Sequence, residues 1–218
     1  MNEFLPEPLP DSPLEIFSAW FAEARARAVQ PNPDAMVVAS ADAAGNPSAR
    51  VVLCKQLHQD GHVVFFTNYD SRKGRELAAQ ARAAAVIHWD TLHRQVRIEG
   101  PVVRSPASES DEYFASRGLT NRIGAWASRQ SEPLASRAAL AEQVDAVAQR
   151  FGVTNATQAA RVPRPPNWGG FRLWIEAIEL WVEGPGRIHD RAVWKRALQP
   201  RDAFNFTASA WQRTRLNP

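Results

Sequence analysis

The stretch Phe65–Leu77, FFTNYDSRKGREL, combines the end of a strand, a turn and the start of a helix. Its apolar first residues predict the strand, and its polar middle predicts a turn into a helix that begins near Ser71. Free N–H groups at a helix start attract anions, whereas Arg72 and Lys73 in the first turn cost stability unless an anion neutralises them. We therefore interpret this turn as an anion-binding site, with a solvated basic helix start as the alternative.

Composition limits the classes of protein to which the chain can belong. It has 218 residues, 44% of them hydrophobic, and no strong internal linker, which favours one domain with a full core. The net charge of +3, from 26 Lys and Arg against 23 Asp and Glu, is too balanced for a protein that coats nucleic acid. No apolar run approaches the roughly 20 residues of a membrane span, and the proline-rich residues 1–10 do not resemble a signal peptide. With Cys54 as the single cysteine, we expect a cytoplasmic protein without membrane or nucleic-acid partners.

The order of the predicted elements indicates a mainly β protein of the α+β class. Prolines at positions 6, 8 and 10 predict a mobile arm over residues 1–11, followed by a single domain over residues 12–218. Ser-Pro pairs at 12–13 and 105–106 predict two helix starts, with the first helix running to about Val29 and the second through Phe114. Because no βαβ repeat occurs, we expect an antiparallel barrel with helices packed outside it. The other predicted elements are strands at 36–39, 48–57, 63–67, 83–89, 93–104, 171–182, 187–196 and 211–216, a helix at 133–151, and a long connection at 152–168. Residues 118–132 are polar and contain glycine, and no element is assigned to them.

Two groups of basic side chains lie on predicted strands. The segment Arg50–Lys55 has a cation at each end, five residues apart, so in a regular strand the two face opposite sides. Both can serve one ligand only if the strand bulges or the ligand wraps around its end. Arg187, His189 and Arg191 occupy alternate positions and so share one face, with Asp190 on the other. Three adjacent potential cations repel unless an anion lies between them, although a face in water is the alternative.

Tyr113, Arg117 and Asn121 are spaced four residues apart, which predicts one helical face with a phenol, a guanidinium and an amide. Such a set suits a phosphate group, with an exposed Tyr–Arg packing pair as the alternative. Together, the basic groups are sufficient for two phosphorylated small molecules. The sequence shows no Walker or dinucleotide fingerprint, no metal-spaced histidine cluster and no evident partner for Ser128. We therefore expect no metal site.

Eight motifs follow one another in an order that is specific as a set. They are Arg50–Lys55, FFTN at 65–68, SRK at 71–73, RQV at 94–96, IGAWASRQS at 123–131, WGG at 168–170, RIHDR at 187–191 and RLNP at 215–218. From about residue 13 to residue 218 the chain thereby resembles the pyridoxine/pyridoxamine 5′-phosphate oxidase family. The resemblance implies an antiparallel split β-barrel homodimer with FMN in each of two sites at the subunit interface. It also implies oxidation of pyridoxine 5′-phosphate and pyridoxamine 5′-phosphate to pyridoxal 5′-phosphate by O₂, with release of H₂O₂ and, from the amine, ammonia.

The resemblance further implies a role for each matching position. Arg187 and His189 would be the catalytic pair, holding the pyridine ring against the flavin, whose N5 accepts a hydride from the substrate's C4′ carbon. The substrate would be bound by this pair and, at its phosphate, by Lys55, Tyr113, Arg117 and Asn121. FMN would be bound by Arg50, Val51, Val52, Leu53, Cys54, Lys55, Phe66, Thr67, Arg72, Lys73, Gln95, Gln130, Ser131, Trp181 and Arg191.

The chain departs from the family pattern in places that bear on the substrate. Phe66 stands where tyrosine is usual, Asn121 stands where serine is usual, and Gly118-Leu119 replaces Pro-Arg. The N-terminal arm also lacks the arginine-rich run and tyrosine that cover the substrate in some members. Two other functions therefore stay open: an FMN oxidase of the same fold with a phenazine-pathway substrate, and a non-catalytic flavin-binding or vitamin B6-binding protein.

Overall fold

The computed structural model describes residues 4–153 and 161–218 of the chain. Every strand pair within these residues is antiparallel. The helices are α1 (Leu14–Ala26), α2 (Arg72–Ala79), α3 (Ala107–Ser116), α4 (Leu119–Ala127) and α5 (Arg137–Arg150), with 3₁₀ turns at Asp90–Leu92 and Pro185–Arg187. The strands are β1 (Ala35–Ala41), β2 (Pro47–Leu53), β3 (Gln56–Leu57), β4 (His62–Asn68), β5 (Arg82–Trp89), β6 (Arg94–Arg104), β7 (Trp168–Trp174), β8 (Ala177–Val182), β9 (Asp190–Lys195), β10 (Leu198–Pro200), β11 (Phe206–Ala208) and β12 (Gln212–Leu216).

Strand β6 is the element around which the main sheet curls. It pairs with β5 and β8, while its last residues, Val102–Arg104, pair with β7, so it connects the two halves of the sheet. A Cβ at Gly100 would lie 1.9 Å from the carbonyl oxygen of Trp174, so only glycine fits at this crossing. The strand order β12-β9-β8-β6-β5-β1-β2, with β3, β4 and β7 joined through β6, forms a curled half-barrel. The predicted mainly β antiparallel architecture with surrounding helices is confirmed.

The core lies between the curled sheet and helix α1. Phe17 and Phe21 are buried on the helix, and the Phe21 ring lies 6.0 Å from that of Trp89 on β5. Met36 and Val38 are fully buried on β1, and burial alternates along this strand as its pleat requires. This packing fixes the positions of the strands that carry the basic residues. In the described part of the chain, no helix combines the length and the apolar character needed to cross a membrane.

Several element boundaries differ from those predicted. In both helices that follow a Ser-Pro pair, the proline is the N-cap, so each helix begins one residue later than predicted. Helix α1 ends at Ala26 rather than near Val29. The polar segment 118–132, to which no element was assigned, contains α4, because Ile123 and Ala127 give it a buried side. The single strand predicted at 171–182 is two strands, since β7 pairs with β4 and β8 pairs with β6. Of the connection predicted at 152–168, residues 154–160 lie outside the described residues.

The described part of the N-terminal arm lies against the last strands of the sheet. Leu5 is 4% exposed, and its N–H donates to Oδ2 of Asp190 at 2.7 Å. Arg215 donates to the carbonyl oxygens of Leu5 and Pro6, and the indole N–H of Trp194 donates to that of Pro10. Residues 4–10 thus have defined contacts, while the mobility of the arm and the single-domain division stay predictions.

Candidate functional site

A cavity of about 770 Å³ lies between β2, β4 and helices α2, α3 and α4. Of the residues predicted to bind cofactor or substrate, it is lined by Arg50, Val51, Val52, Leu53, Lys55, Phe66, Thr67, Arg72, Lys73, Tyr113, Arg117, Asn121, Gln130 and Ser131. Its other lining residues are Ser48, Ala49, Asn68, Thr120, Gly124, Ala125, Ser128 and Trp168. Sequence reasoning gave none of these a role, although α4 alone carries three of them and Trp168 belongs to a recognised motif.

Ser71 begins helix α2 at the cavity wall, where the sequence predicted a helix start. Its side chain accepts a hydrogen bond from the N–H of Gly74 at 3.3 Å and donates to the carbonyl oxygen of Asn68 at 2.7 Å. A Cβ at Gly74 would lie 2.0 Å from the carbonyl oxygen of Tyr69, so this tight entry requires glycine. The first turn contains no acidic residue. The positive end of the helix and its two basic side chains therefore face the cavity.

Lys73 is a buried cation whose ammonium group is surrounded by neutral oxygens. It is 7% exposed, and its Nζ donates to Oγ1 of Thr67 at 2.7 Å, Oε1 of Gln130 at 3.1 Å and Oγ of Ser71 at 3.2 Å. Burial, and then the charge of Arg50, lowers the pKa of Lys73 to about 8. A bound anion would offset the cost of burying this charge.

Glu76 forms ion pairs with the other two cations of this region. Although burial by itself raises the pKa of Glu76, hydrogen bonds from Ser40, Ser48, Arg72 and Arg50 lower it to about 2. Its carboxylate lies 2.8 Å from Nε of Arg72 and 3.0 Å from Nη2 of Arg50. Glu76 therefore fixes both guanidinium groups at the cavity wall, and its single negative charge leaves Arg50, Arg72 and Lys73 with a net positive charge for an added anion.

Three stacked aromatic rings form the opposite wall. Phe66 packs on Tyr113 with ring centres 3.9 Å apart, and Trp168 lies nearly parallel, 5.6 Å from Phe66. The guanidinium of Arg117 lies 4.7 Å from the centre of the Trp168 ring. Its Nη1 is buried without a hydrogen-bond partner, and burial lowers the pKa of Arg117. An unpaired buried donor next to Tyr113 favours a second anion at this end of the cavity.

The predicted helical face of Tyr113, Arg117 and Asn121 is wrong. Helix α3 ends at Ser116, the backbone of Arg117 is extended, and Asn121 lies in the first turn of α4. The break occurs at Gly118, which is the N-cap of α4. The three side chains nevertheless line the same cavity, because the two helices meet at its edge.

Arg50 and Lys55 reach one cavity because the strand is interrupted between them. Strand β2 ends at Leu53 and β3 begins at Gln56, which is the kind of break that a shared ligand requires. The Nζ of Lys55 lies 3.0 Å from Oδ2 of Asp34. Cys54 does not line the cavity: it is fully buried, and burial raises the pKa of its thiol to about 12. Its predicted contact with FMN stays a prediction.

The remaining predicted residues form a second cluster outside this cavity. Gln95 on β6 pairs with Trp181 on β8, which pairs with Arg191 on β9, so the three lie side by side. The ring of His189 lies 4.7 Å from that of Trp181. Arg191 forms a 2.8 Å ion pair with Glu179. None of the four predicted residues lines the cavity on its own chain.

Arg187 does not share a strand face with His189 and Arg191, so that prediction is wrong. Strand β9 begins at Asp190, and Arg187 ends the preceding 3₁₀ turn with a φ of +66°. The Gly-Pro-Gly segment at 184–186 forms a tight turn here instead of a strand. The backbone of Ile188 approaches Gly184 so closely that a Cβ at Gly184 would lie 1.8 Å from the carbonyl oxygen of Ile188. Arg187 is exposed at the tip of this turn.

The cavity fits a phosphorylated cofactor of the size of FMN. A buried lysine without a carboxylate contact lies at the N-terminus of α2, where backbone N–H groups also bind phosphate. The volume of about 770 Å³ is within the range of small-molecule sites. Arg72 and Lys73 would hold the phosphate, and Arg50–Lys55 would lie beside the rest of the molecule.

Comparisons with known proteins cover nearly the whole chain. Residues 22–151 match the family model described as pyridoxamine 5′-phosphate oxidase, and residues 168–218 match that of the pyridoxine 5′-phosphate oxidase C-terminal dimerisation region. A pyridoxine/pyridoxamine 5′-phosphate oxidase of Burkholderia lata is 48% identical over 206 residues, covering 94% of this chain and 89% of that protein. One of Roseobacter denitrificans is 45% identical over 208 residues, covering 95% of each.

Two solved structures share the fold of this chain. The crystal structure of PhzG from Burkholderia lata, in complex with tetrahydrophenazine-1-carboxylic acid, has a TM-score of 0.80 and 30% identity, covering 96% of this chain and 94% of that one. An FMN-binding, pyridoxamine 5′-phosphate oxidase-related protein from Nostoc punctiforme shares the fold, with a TM-score of 0.66 at 13% identity and coverage of 94% and 96%. The family supports FMN as the cofactor, and its dimerisation region supports a homodimer. The chain belongs to the pyridoxamine 5′-phosphate oxidase family.

Proposed function

We propose that this protein is an FMN-dependent oxidase that converts pyridoxine 5′-phosphate and pyridoxamine 5′-phosphate to pyridoxal 5′-phosphate. O₂ accepts the electrons and leaves as H₂O₂, and the amine substrate also consumes water and releases ammonia. The observation that carries the proposal is one cavity with two anion-binding groups, Lys73 at the start of α2 and Arg117 beside Tyr113. Two such groups match a phosphorylated cofactor next to a phosphorylated substrate. Relatives that are 45% and 48% identical are named for these substrates.

The residues of this chain bind and orient the reactants. When bound, FMN supplies the redox chemistry by accepting a hydride from the substrate. Lys73 and the N–H groups of α2 hold the cofactor's phosphate, while Glu76 keeps Arg50 and Arg72 fixed at its side. Because these groups are held by the fold before the ligand arrives, binding requires little reorganisation.

The substrate's phosphate binds between the two helices at the far end of the cavity. Arg117 donates from its unpaired Nη1, and Tyr113 and Asn121 add hydroxyl and amide groups. Lys55 joins them if it exchanges Asp34 for the phosphate, since both partners are anions. The stacked rings of the cavity wall give this end an aromatic lining.

Arg187 and His189 complete the site from the other subunit of a homodimer. On their own chain they do not line the cavity, and they lie on and beside an exposed turn. The matched dimerisation region spans this turn and the strands of the second cluster that follow Trp168. In the dimer, the pair orients the pyridine ring of the substrate, with Gln95, Trp181 and Arg191 beside the flavin.

A second candidate function is oxidation of a reduced phenazine precursor. The structural similarity to PhzG, whose complex contains tetrahydrophenazine-1-carboxylic acid, favours it. A carboxylate could use one anion-binding group, but such a substrate leaves the cluster of Tyr113, Arg117, Asn121 and Lys55 without a phosphate. We therefore rank this activity second.

One experiment distinguishes these functions. The purified protein is examined for a flavin spectrum and then given, under air, pyridoxine 5′-phosphate, pyridoxamine 5′-phosphate, unphosphorylated pyridoxine or a reduced phenazine carboxylic acid. We expect bound flavin, and peroxide formation from the phosphorylated substrates at a kcat/KM at least about a hundredfold above that with pyridoxine. Turnover of the phenazine compound alone would favour the second candidate, and flavin without turnover would indicate a binding protein.

The cytoplasm is the proposed location. The single cysteine is buried and its thiol pKa is raised, which suits a protein that uses no disulfide.

A further inference from the structure

Two histidines and an aspartate meet at the turn between β3 and β4. His58, Asp60 and His62 each offer one ligand atom, and these atoms all lie within 4.8 Å of one another. Two backbone hydrogen bonds close the turn and bring them together. The N–H of His58 donates to the carbonyl oxygen of His62 at 2.9 Å, and the N–H of Gly61 donates to the carbonyl oxygen of His58 at 3.0 Å. The sequence analysis did not find this cluster, because a turn rather than a helix brings its residues together.

His62 is the unusual member of this group. It is 2% exposed, and its Nε2 is buried without a hydrogen-bond partner among the described residues. Its Nδ1 lies 2.7 Å from Oδ1 of Asp60. Its ring is held between those of Trp174, 4.6 Å away, and His58, 4.2 Å away. Buried polar atoms normally have partners, so this imidazole points to a missing ligand.

The backbone of the turn is held in place by another strand. Arg196 donates to the carbonyl oxygens of Asp60 at 3.1 Å and Gly61 at 3.0 Å, and also to that of Ile175 at 2.8 Å. His62 and the backbone of Asp60 are therefore fixed before any ligand binds. The half-exposed His58 ring is the adjustable member: its Nε2 lies 3.0 Å from Oε1 of Gln56, a contact that a bound ion would replace.

We propose that His58, Asp60 and His62 form a binding site for a divalent transition-metal ion, of which Zn²⁺ is the best match. Two imidazoles and one carboxylate are a zinc donor set, with water in the fourth position, whereas Mg²⁺ and Ca²⁺ prefer oxygen ligands alone. None of the three residues lines the large cavity, so the ion is not part of the oxidase site. It would instead cross-link the turn that follows Lys55.

The test is zinc binding by the flavin-loaded protein. Zn²⁺ is added in competition with a chromophoric chelator to the wild type, to His58→Asn and to Asp60→Asn, which leave the buried His62 in place. His93→Asn is the matched control, because His93 is an exposed histidine on a different turn and its φ of +54° is one that asparagine tolerates. We expect one Zn²⁺ per protomer in the wild type and the control, and an affinity at least about tenfold lower in both site variants.

X-ray absorption gives an independent readout of the ligands. The zinc-loaded wild type is expected to show imidazole scattering from two histidines, with nitrogen at about 2.0–2.1 Å. Equal affinity in the wild type and both site variants, loss of binding in His93→Asn, or no stoichiometric uptake would each overturn the proposal. Since none of these results depends on turnover, the outcome is independent of the proposed oxidase activity.

Discussion

Arg117 places a buried nitrogen, Nη1, at the cavity without a hydrogen-bond acceptor. A phosphate there would gain a charge-assisted hydrogen bond worth about 1.5–3 kcal/mol. We expect Arg117→Ala to raise KM for pyridoxine 5′-phosphate by roughly tenfold to a hundredfold. The Kd for FMN, measured by quenching of flavin fluorescence, should change by less than about threefold, since this side chain lies at the substrate end of the cavity.

Arg150→Ala is the matched control for this substitution. Arg150 also stacks on aromatic rings, those of Trp126 and Phe151, but it lies on α5 and does not line the cavity. Its removal should leave both constants unchanged. If Arg117→Ala weakened FMN as much as it raised KM, Arg117 would belong to the cofactor's phosphate and the assignment of the two anion-binding groups would be wrong.

Lys73 gives FMN binding an upper pH limit. Its pKa is lowered to about 8, so the free protein carries the charge below this pH and loses it above. The phosphate of FMN is largely dianionic above its second pKa of about 6, so affinity is expected to be highest between these values. Above pH 8 the apparent Kd should rise, approaching about tenfold per pH unit, because the cation must regain its proton to bind the phosphate.

Fluorescence titrations from pH 7 to 9.5 test this dependence. In Lys73→Met the affinity should be weaker at pH 7 and nearly independent of pH over this range, because the titrating cation is gone. A wild-type Kd that stays flat through pH 9 would show that Lys73 does not contact the phosphate.

At the scale of elements, the entry into α2 depends on Gly74. A Cβ at this position would lie 2.0 Å from the carbonyl oxygen of Tyr69, whereas a Cβ at Gly124 in α4 meets nothing within 4 Å. Gly74→Ala should therefore lower the free energy of unfolding by about 2 kcal/mol or more, as overpacking against backbone does. Gly124→Ala, the matched control, should raise it by roughly 0.5–1 kcal/mol through helix propensity.

Urea denaturation of the apoprotein measures both changes. Using the apoprotein separates the stability of the fold from effects on FMN, since Gly124 lines the cavity. Equal stability of the two variants would mean that the turn before α2 can relax without loss.

Local sequence signals predicted those elements whose start is marked by neighbouring residues alone. The start of α2 was predictable because Ser71 is a cap and the two cations after it break the usual charge preference of a first turn. Helix α4 was not, because Gly118, Asn121 and Gly124 weaken the helical pattern and only packing of Ile123 and Ala127 compensates. The turn at Arg187 was missed for the opposite reason: Arg187, His189 and Arg191 have the alternating spacing that is typical of one face of a strand.

At the scale of the whole molecule, the order of strands and helices was enough to predict a mainly β antiparallel architecture. The cavity was not predictable from spacing, because it joins residues as distant as Thr67 and Gln130 through side-chain hydrogen bonds. Nor could spacing show that Arg187 and His189, the predicted catalytic pair, lie apart from the cavity on the same chain. Only the fold reveals that the predicted site residues divide into two groups.

This division predicts complementation between inactive subunits. Arg117→Ala damages the cavity group and Arg187→Ala damages the other group, so each homodimer should be nearly inactive at limiting substrate. If each site takes its cavity from one subunit and Arg187 from the other, a mixed dimer has one doubly damaged site and one intact site. Random mixing at equal amounts makes half the dimers mixed, with half of their sites intact, so about a quarter of wild-type activity should return.

The mixture is prepared by unfolding and refolding the two variants together with FMN, and peroxide formation is measured against each variant refolded alone. Wild type refolded in the same way corrects for activity lost during refolding. A mixture of Arg187→Ala with the active variant Arg150→Ala gives the activity expected when an inactive variant only dilutes an active one. Activity no higher than the mean of the two separate variants would mean that both groups act within one chain. That result would contradict the interface site, because within a single chain Arg187 and the cavity belong to different parts of the sheet.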